Sequence, residues 1–159
     1  MPFDNKITLR AATLEDTPML LAWENSTDAQ VVTQAQEPLS VEFVARHILS
    51  SQNLATDLQQ RFVVLDGSGS PIGTVDLFDY SPATTSADIG IYITPEVRQQ
   101  GYATQAITLA ATKAQQYGVR YLYADIQVGN IASLALFRKL GFTPIHTESS
   151  EIIRTVLAL

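Results

Sequence analysis

The chain has 159 residues, 46% of them apolar and 16% charged, and it contains no cysteine. This length and apolar content are typical of one globular domain, so we expect a single domain over residues 1–159 and exclude wholesale disorder. The net charge of −6 at pH 7 argues against nucleic-acid binding, which needs a cationic surface. Without cysteine there are no disulfides, thiolate nucleophiles or Cys-ligated zinc, and two distant histidines, His47 and His146, give no reason to expect a metal site.

Two further features of the chain concern its location. No apolar run approaches the roughly 20 residues that cross a bilayer. The amino-terminal residues 1–6 are polar and lack the apolar segment of a signal peptide. We therefore expect a cytoplasmic protein with no membrane partner.

The amino-terminal third of the chain predicts a strand and two helices. Residues 7–11 alternate between apolar and polar and predict the strand. Thr13 and Asp16 have the spacing of a capping box, which predicts a helix after them, and a second helix is expected after Ser40. The polar stretch between the helices, residues 26–39, is predicted to be irregular. The apolar positions of the two helices are Leu20, Leu21 and Trp23 in the first, and Phe43, Val44 and Ile48 in the second.

The centre of the chain predicts three strands in succession. Residues 61–65 and 71–79 are rich in β-branched and aromatic side chains and flank a turn at residues 66–69, so they form a hairpin. A polar loop at residues 80–86 then leads into a third strand at residues 88–93.

The remainder of the chain alternates helices and strands. A long helix begins near Gly101 and ends at Gly118, because its apolar positions step by three and four residues between them. Asn130 is placed to cap a shorter helix over residues 131–140. Strands are predicted at residues 121–128, 142–148 and 151–158. This order predicts an α/β (α+β) fold, with a mixed, mostly antiparallel sheet of about seven strands flanked by about four helices.

The segment that joins the third central strand to the long helix carries the clearest chemical signal. The first amides of a helix have no partner within it and lie at the positive end of its dipole, so they attract anions. Gly101 lets the backbone approach a bulky ligand, and Arg98 adds a cation suited to phosphate. The pattern favours a pyrophosphate site, and the alternative is an ordinary strand–helix corner with a solvated arginine.

Two segments of the chain resemble sequence signatures of one enzyme superfamily. Residues 98–103, Arg-Gln-Gln-Gly-Tyr-Ala, resemble the acyl-CoA-binding motif Arg/Gln-x-x-Gly-x-Gly/Ala of the GNAT N-acetyltransferases. About thirty residues later, residues 130–142 resemble the family's second signature, Asn-x-x-(Ala/Ser)-x-x-Leu-Tyr-x-Lys-x-Gly-Phe. The predicted element order is also similar to the GNAT fold over nearly the whole chain. Among family members, the chain looks most like the spermidine-type and ribosomal-protein-type acetyltransferases.

The resemblance implies an enzyme that transfers an acetyl group from acetyl-CoA to a primary amine. The acceptor would be a polyamine, a protein N-terminus or another small cationic amine, and relatives are often homodimers. Because the chain has no cysteine and no Gly-x-Ser-x-Gly elbow, we expect direct attack by the amine without an acyl-enzyme. A backbone amide of residues 91–93 would polarise the thioester carbonyl, as in an oxyanion hole.

The resemblance also assigns residues to the cofactor. In such proteins the strand before the phosphate loop pairs with the pantetheine arm, in a gap beside the strand at residues 121–128. The residues assigned to acetyl-CoA are Ile91, Tyr92, Ile93, Arg98, Gln99, Gln100, Gly101, Tyr102, Ala103, Thr104, Asn130, Ser133, Phe137 and Lys139. For Asn130 the alternative is a plain helix cap, and for Lys139 a surface cation at the end of a helix.

One residue departs from the family pattern. Phe137 occupies the position where many members have a tyrosine, which is usually assigned as the acid that protonates the CoA thiolate. Phenylalanine has no proton to donate. The alternatives are another group, such as Tyr92, Tyr102 or water, or unassisted departure of the thiolate.

The acceptor side is predicted from acidic residues. Asp76 is a candidate acid or base, because related spermidine/spermine acetyltransferases carry an acidic residue in a similar strand. Asp79 and Asp88 lie on or beside the central strands, and Glu24 and Glu37 lie near the helical region that shapes the acceptor pocket in the family. A carboxylate there could attract a cationic amine or take its proton. The alternative is that these acids are solvated turn and edge residues.

A second class of function is also compatible with the sequence. Phe137 leaves open a non-catalytic module that binds or senses acyl-CoA. A Rossmann or P-loop nucleotide site is excluded, because no Gly-x-Gly-x-x-Gly follows a strand and no Gly-Lys-Ser/Thr occurs.

Overall fold

A single mixed sheet organises the protein, in a computed structural model that describes residues 6–26 and 37–159. Its strands within these ranges are β1 Thr8–Ala11, β2 Gln52–Asn53, β3 Gln59–Leu65, β4 Pro71–Ser81, β5 Ser86–Ile93, β6 Tyr121–Gln127, β7 Thr143–Ile145 and β8 Ile152–Ala158. They are ordered β1-β3-β4-β5-β6-β8-β7, with β2 paired to β3, and of these eight only β5 and β6 run parallel to each other. The predicted mixed, mostly antiparallel sheet is confirmed, with one strand more than predicted because the short β2 was not expected.

The described ranges contain five α-helices, one more than the sequence predicts. The additional helix, α3, is a single turn. The helices are α1 Thr17–Glu24, α2 Val41–Leu49, α3 Leu54–Asp57, α4 Tyr102–Gln116 and α5 Ile131–Lys139. None of them is long and apolar enough to cross a bilayer.

Helix ends lie where the sequence places them because local caps stabilise them. Thr13 and Asp16 form the predicted capping box, which begins a 3-10 turn that continues into α1. The Ser40 hydroxyl accepts a hydrogen bond from the Phe43 amide at 3.1 Å. The long helix α4 ends before Gly118, whose φ of 87° is the left-handed conformation that a glycine cap adopts.

Each face of the sheet carries its own core. On one face, buried side chains of α4 pack with β4, β5 and β6, together with Phe137 of α5. On the other face, Val44 and Ile48 of α2 pack with Leu20 of α1. Phe43, the third apolar position predicted for this helix, does not pack with Val44 and Ile48, because its side chain is 53% exposed. Of the predicted irregular stretch, residues 27–36 lie outside the described residues, as do residues 1–5 of the polar amino terminus.

The two parallel strands separate, and this separation positions the site. β5 and β6 pair only from Ser86 to Asp88 and from Tyr121 to Tyr123. Beyond Asp88, β5 continues to Ile93 with β4 as its partner, while β6 continues with β8. A gap therefore opens between β5 and β6 toward their carboxyl ends.

Candidate functional site

A cleft of about 390 Å³ lies along the open side of β5, between the start of α4 and the start of α5. Eleven of the fourteen residues predicted to contact acetyl-CoA line it, although they come from three separate segments of the chain. They are Ile91, Tyr92, Ile93, Arg98, Gln99, Gly101, Tyr102, Ala103, Thr104, Asn130 and Ser133.

The β5 backbone in the cleft has hydrogen-bonding groups without a strand partner. The Thr94 amide donates to the Ile72 carbonyl, so even-numbered residues of β5 direct their backbone groups at β4. Ile91 and Ile93 therefore direct their amide and carbonyl groups into the gap, where β6 has already separated. The Ile93 carbonyl accepts a 2.8 Å hydrogen bond from Arg98 Nε. Such a strand edge can pair with the amides of an extended ligand.

The amino terminus of α4 forms the other end of the cleft. No side chain of residues 6–26 or 37–159 caps this helix, and its first turn contains no acidic residue. Gly101 adopts φ of 81°, and the space that a side chain at this position would fill is open. The first amides of α4 thus face the cleft beside the Arg98 guanidinium, an arrangement that suits a phosphate group.

Asn130 combines both roles considered for it, a helix cap and a cleft residue. Its Oδ1 accepts a hydrogen bond from the Ser133 amide at 3.1 Å and caps α5. The side chain lines the cleft as well.

Three of the predicted cofactor residues do not line the cleft. Gln100 and Lys139 are exposed outside it. Phe137 is only 4% exposed, and its ring meets the Phe142 ring edge-on at a centroid distance of 5.0 Å. The structure therefore places Phe137 in the core, where it does not line the space assigned to the cofactor.

Three residues that were not predicted do line the cleft. Val97 immediately precedes Arg98, and Ala132 and Leu136 lie one turn apart on α5. The spacing of Ala132, Ser133 and Leu136 places them on one side of a helix, which is the sequence signal that could have identified them.

Tyr92 links the cleft to the face of the sheet that α1 and α2 cover. Its ring lies 6.2 Å from the Trp23 ring of α1, and the Arg98 guanidinium lies 5.6 Å from the Tyr92 ring centroid. The Tyr92 hydroxyl is 3.5 Å from Ser26 Oγ. The carboxyl end of α1 therefore lies directly beside the cleft.

Asp76 belongs to a charged cluster on this same face of the sheet. Arg61, only 8% exposed, donates to Asp76 at 2.7 and 2.9 Å and forms an ion pair with Glu24 at 2.9 Å. The pairing register places Asp76 opposite Gly90 of β5, two residues before Tyr92. One arginine is thus shared by two carboxylates, and the cluster carries a net negative charge.

A smaller cavity of about 190 Å³ adjoins this cluster, and His47 lines it together with Asp76 and Asp79. Burial lowers the pKa of His47, and the nearby Arg61 lowers it further, so the imidazole is neutral at pH 7. A lone histidine in α2 gave no sequence signal for this position, because only the packing of α2 on the sheet brings it beside Arg61.

A second charged cluster lies where β5 and β6 separate. Arg154 of β8 donates to Asp88 at 2.9 and 3.2 Å and to Asp125 at 2.8 Å. Its guanidinium lies 4.5 Å from the Tyr123 ring centroid. These two carboxylates raise the pKa of Arg154, and together the three groups also carry a net negative charge.

The remaining predicted acids lie at the surface. Asp79 and Glu37 are exposed. Within the described ranges, no group of three or more His, Asp or Glu side chains is arranged to hold a metal ion.

Comparison with known sequences identifies relatives over most of the chain. A profile of the acetyltransferase (GNAT) domain matches residues 6–143. The spermidine N(1)-acetyltransferase of Escherichia coli K12 is 28% identical over 148 residues, which are 90% of this chain and 76% of the relative. A putative phosphinothricin acetyltransferase of Bacillus subtilis is 31% identical over 144 residues, which are 86% of this chain and 83% of the relative.

Solved structures share the fold at lower sequence identity. The spermidine N-acetyltransferase of Vibrio cholerae, in complex with CoA and spermine, superposes with a TM-score of 0.82 at 21% identity and covers 96% of this chain and 95% of its own. The ribosomal L7/L12 alpha-N-protein acetyltransferase, in complex with coenzyme A, superposes with a TM-score of 0.83 at 19% identity and covers 99% and 97% of the two chains.

Proposed function

The chain belongs to the GNAT acetyltransferase family and transfers an acetyl group from acetyl-CoA to an amine, and we propose that the cleft along β5 is where it holds acetyl-CoA. The observation that carries this proposal is the convergence of two unlike surfaces in one cleft. One end offers helix amides beside Arg98, and the other offers the backbone of Ile91 and Ile93, which has no strand partner on the β6 side. The pyrophosphate of acetyl-CoA would bind the helix amides, and its extended pantetheine arm, which carries two amides, would pair with the strand backbone.

The chain's own groups account for direct transfer. The amine nitrogen forms a bond to the thioester carbon, the carbon–sulfur bond breaks, CoA leaves as the thiolate, and the nitrogen loses a proton. The backbone amides of Ile91 and Ile93 are the donors available to stabilise negative charge on the carbonyl oxygen. With no cysteine in the chain, no thioester to the enzyme forms.

The acceptor that fits this site best is a primary amine with further positive charge, such as a polyamine. Both charged clusters on the face beside the cleft have more carboxylates than arginines. The arginines of these two clusters, Arg61 and Arg154, are each bound to two carboxylates already, so neither is available for the carboxylate of an amino-acid acceptor. The polyamine substrates named for two relatives agree with this choice.

The acid and base follow from what lines the cleft. Of the tyrosines in the described residues, Tyr92 and Tyr102 line the cleft, so the acid that protonates the thiolate is one of them or water. The alternative is departure without an acid, because a thiol with a pKa of about 8.5 is an adequate leaving group. Both oxygens of Asp76 accept hydrogen bonds from Arg61. Attraction of the cationic amine is therefore a better role for Asp76 than proton removal.

Thermal unfolding tests the cofactor site. Acetyl-CoA at about 100 times its dissociation constant stabilises a protein by ~2.7 kcal/mol, which is about 5–10 °C in Tm for a domain of this size. Gly101→Val introduces a β-branched residue where the backbone has positive φ and the ligand approaches, so the shift is lost. Gly69→Val is the matched control, because Gly69 also has positive φ and open space but lies in the β3–β4 turn. A shift that survives Gly101→Val, or is absent in the unmodified protein, would refute this assignment.

An acceptor panel tests the amine class. A thiol reagent reports released CoA without protein background, since the chain has no cysteine. Spermidine and other polyamines should give CoA release that weakens as salt rises, because partly exposed charges are screened. Efficient turnover of methionine sulfoximine, or equal turnover of neutral amines, would overturn the polyamine proposal while leaving the enzyme's family intact.

Three broader expectations from the sequence are likewise proposals: a single domain over residues 1–159, a homodimer and a cytoplasmic location. Sedimentation of the purified protein measures the oligomeric state directly.

A further inference from the structure

The narrow end of the gap between β5 and β6 carries a bridge across three strands. The last paired residues are Asp88 and Tyr123, and a continued register would place Gly90 opposite Asp125. Arg154 lies opposite Asp125 on β8, so it must cross β6 to reach Asp88 on β5. That span covers two strand spacings, roughly 10 Å.

The Arg154 guanidinium contacts three side chains, one on β5 and two on β6. The guanidinium donates to both oxygens of Asp88, to Asp125 Oδ1, and lies against the Tyr123 ring. Asp88 is only 8% exposed, so its carboxylate depends on this partner for charge compensation. One contact joins Asp88, the last paired position of β5, and another joins Asp125, two residues beyond the last paired position of β6.

We propose that Arg154 is a positioning residue for acetyl transfer, which sets the separation of β5 and β6 by joining Asp88 to Asp125. This inference rests on the proposed cofactor site, because Ile91 and Ile93 lie three and five residues beyond Asp88 on the same strand, β5. Among the described strands, β5 has a partner on one side alone after Asp88, so its position at the reacting carbonyl depends on the last contacts before the gap. The Arg98 and Gly101 end of the cleft lies away from this bridge and provides affinity for the phosphates.

This division of roles predicts a separation of kinetic parameters. Arg154→Met removes the bridge and should lower kcat at least tenfold, while the dissociation constant for acetyl-CoA changes less than threefold. Arg154→Lys keeps the positive charge, but one ammonium does not reproduce the planar guanidinium that contacts two carboxylates. We expect this variant to remain impaired, because geometry and not charge is what the bridge supplies.

The matched control is Arg10→Met. Arg10 also makes a two-bond contact with an aspartate, Asp16, and its side chain is 36% exposed against 31% for Arg154. It lies on β1, an edge strand three positions away from β5 in the sheet. The Arg10 variant should therefore lose stability without loss of kcat.

Asp125→Asn provides a second route if Arg154→Met does not fold. The Asp125 side chain is half exposed, so the substitution removes one end of the bridge with little burial cost. It should lower kcat several-fold in the same direction. CoA release and calorimetric binding of acetyl-CoA are measured for every variant alongside the unmodified protein.

The outcomes separate the two proposals. Unchanged kcat in Arg154→Met and Asp125→Asn, or an equal fall in Arg10→Met, would overturn the positioning role and leave the cofactor site standing. A change confined to KM for the amine would also overturn it, because Arg154 would then be an acceptor contact. Failure of the unmodified protein to bind acetyl-CoA would instead refute the proposed cofactor site.

Discussion

Restoring a tyrosine at position 137 should damage this protein and not improve it. Phe137→Tyr adds a hydroxyl to a ring that is 4% exposed and packs edge-on against Phe142. A buried hydroxyl without a partner costs about 1–3 kcal/mol. For 159 residues, each kcal/mol corresponds to about 2–4 °C in Tm, so we expect a decrease of roughly 2–12 °C. Because Phe137 does not line the cleft, kcat should not increase.

Thermal unfolding and CoA release together measure this effect. Phe142→Tyr is the matched control, since Phe142 is 2% exposed in the same core and should lose a similar amount of stability. If Phe137→Tyr unfolds at the Tm of the unmodified protein and turns over faster, the ring edge must reach the thiolate. The assignment of Phe137 to the core would then be refuted.

Three further changes test other parts of the structure. A methyl group at Gly73 would lie 2.0 Å from the Tyr92 carbonyl oxygen, so Gly73→Ala should cost about 1–3 kcal/mol in urea unfolding and weaken acetyl-CoA binding by displacing β5. Asp76→Asn leaves Arg61 with one carboxylate partner and removes one negative charge from the acceptor side. The loss of about 1 kcal/mol of attraction should raise KM for spermidine roughly fivefold at low salt, and by less at high salt, where the charges are screened. The lowered pKa of His47 means that the unfolded chain binds more protons, so the free energy of unfolding should fall as pH drops below about 6.5, and His47→Gln should flatten this part of the profile measured by thermal melts.

The sequence was sufficient to predict most of the secondary structure and most of the residues that line the cleft along β5. Caps at Ser40 and Asn130 and the glycine at 118 act within a few residues of themselves, so their effect is visible in the local pattern. The loop that we propose for phosphate binding is equally local, because it consists of one strand end, one arginine and one helix amino terminus. The β2–α3 segment was missed because its strand has two residues and its helix one turn, too short for any periodicity.

Tertiary structure alone decided which charges meet and which way the rings face. Arg154 and Asp88 are 66 residues apart in sequence, and only strand order and register bring them together at the β5–β6 gap. Phe137 and Ser133 lie one helical turn apart, yet one packs into the core and the other lines the cleft. The packing of α5 against the rest of the protein covers one and leaves the other at the cleft, and no pattern of apolar residues records that packing. A sequence pattern indicates which helix or strand a residue belongs to. Strand pairing and side-chain packing depend instead on how elements distant in sequence are arranged in the fold.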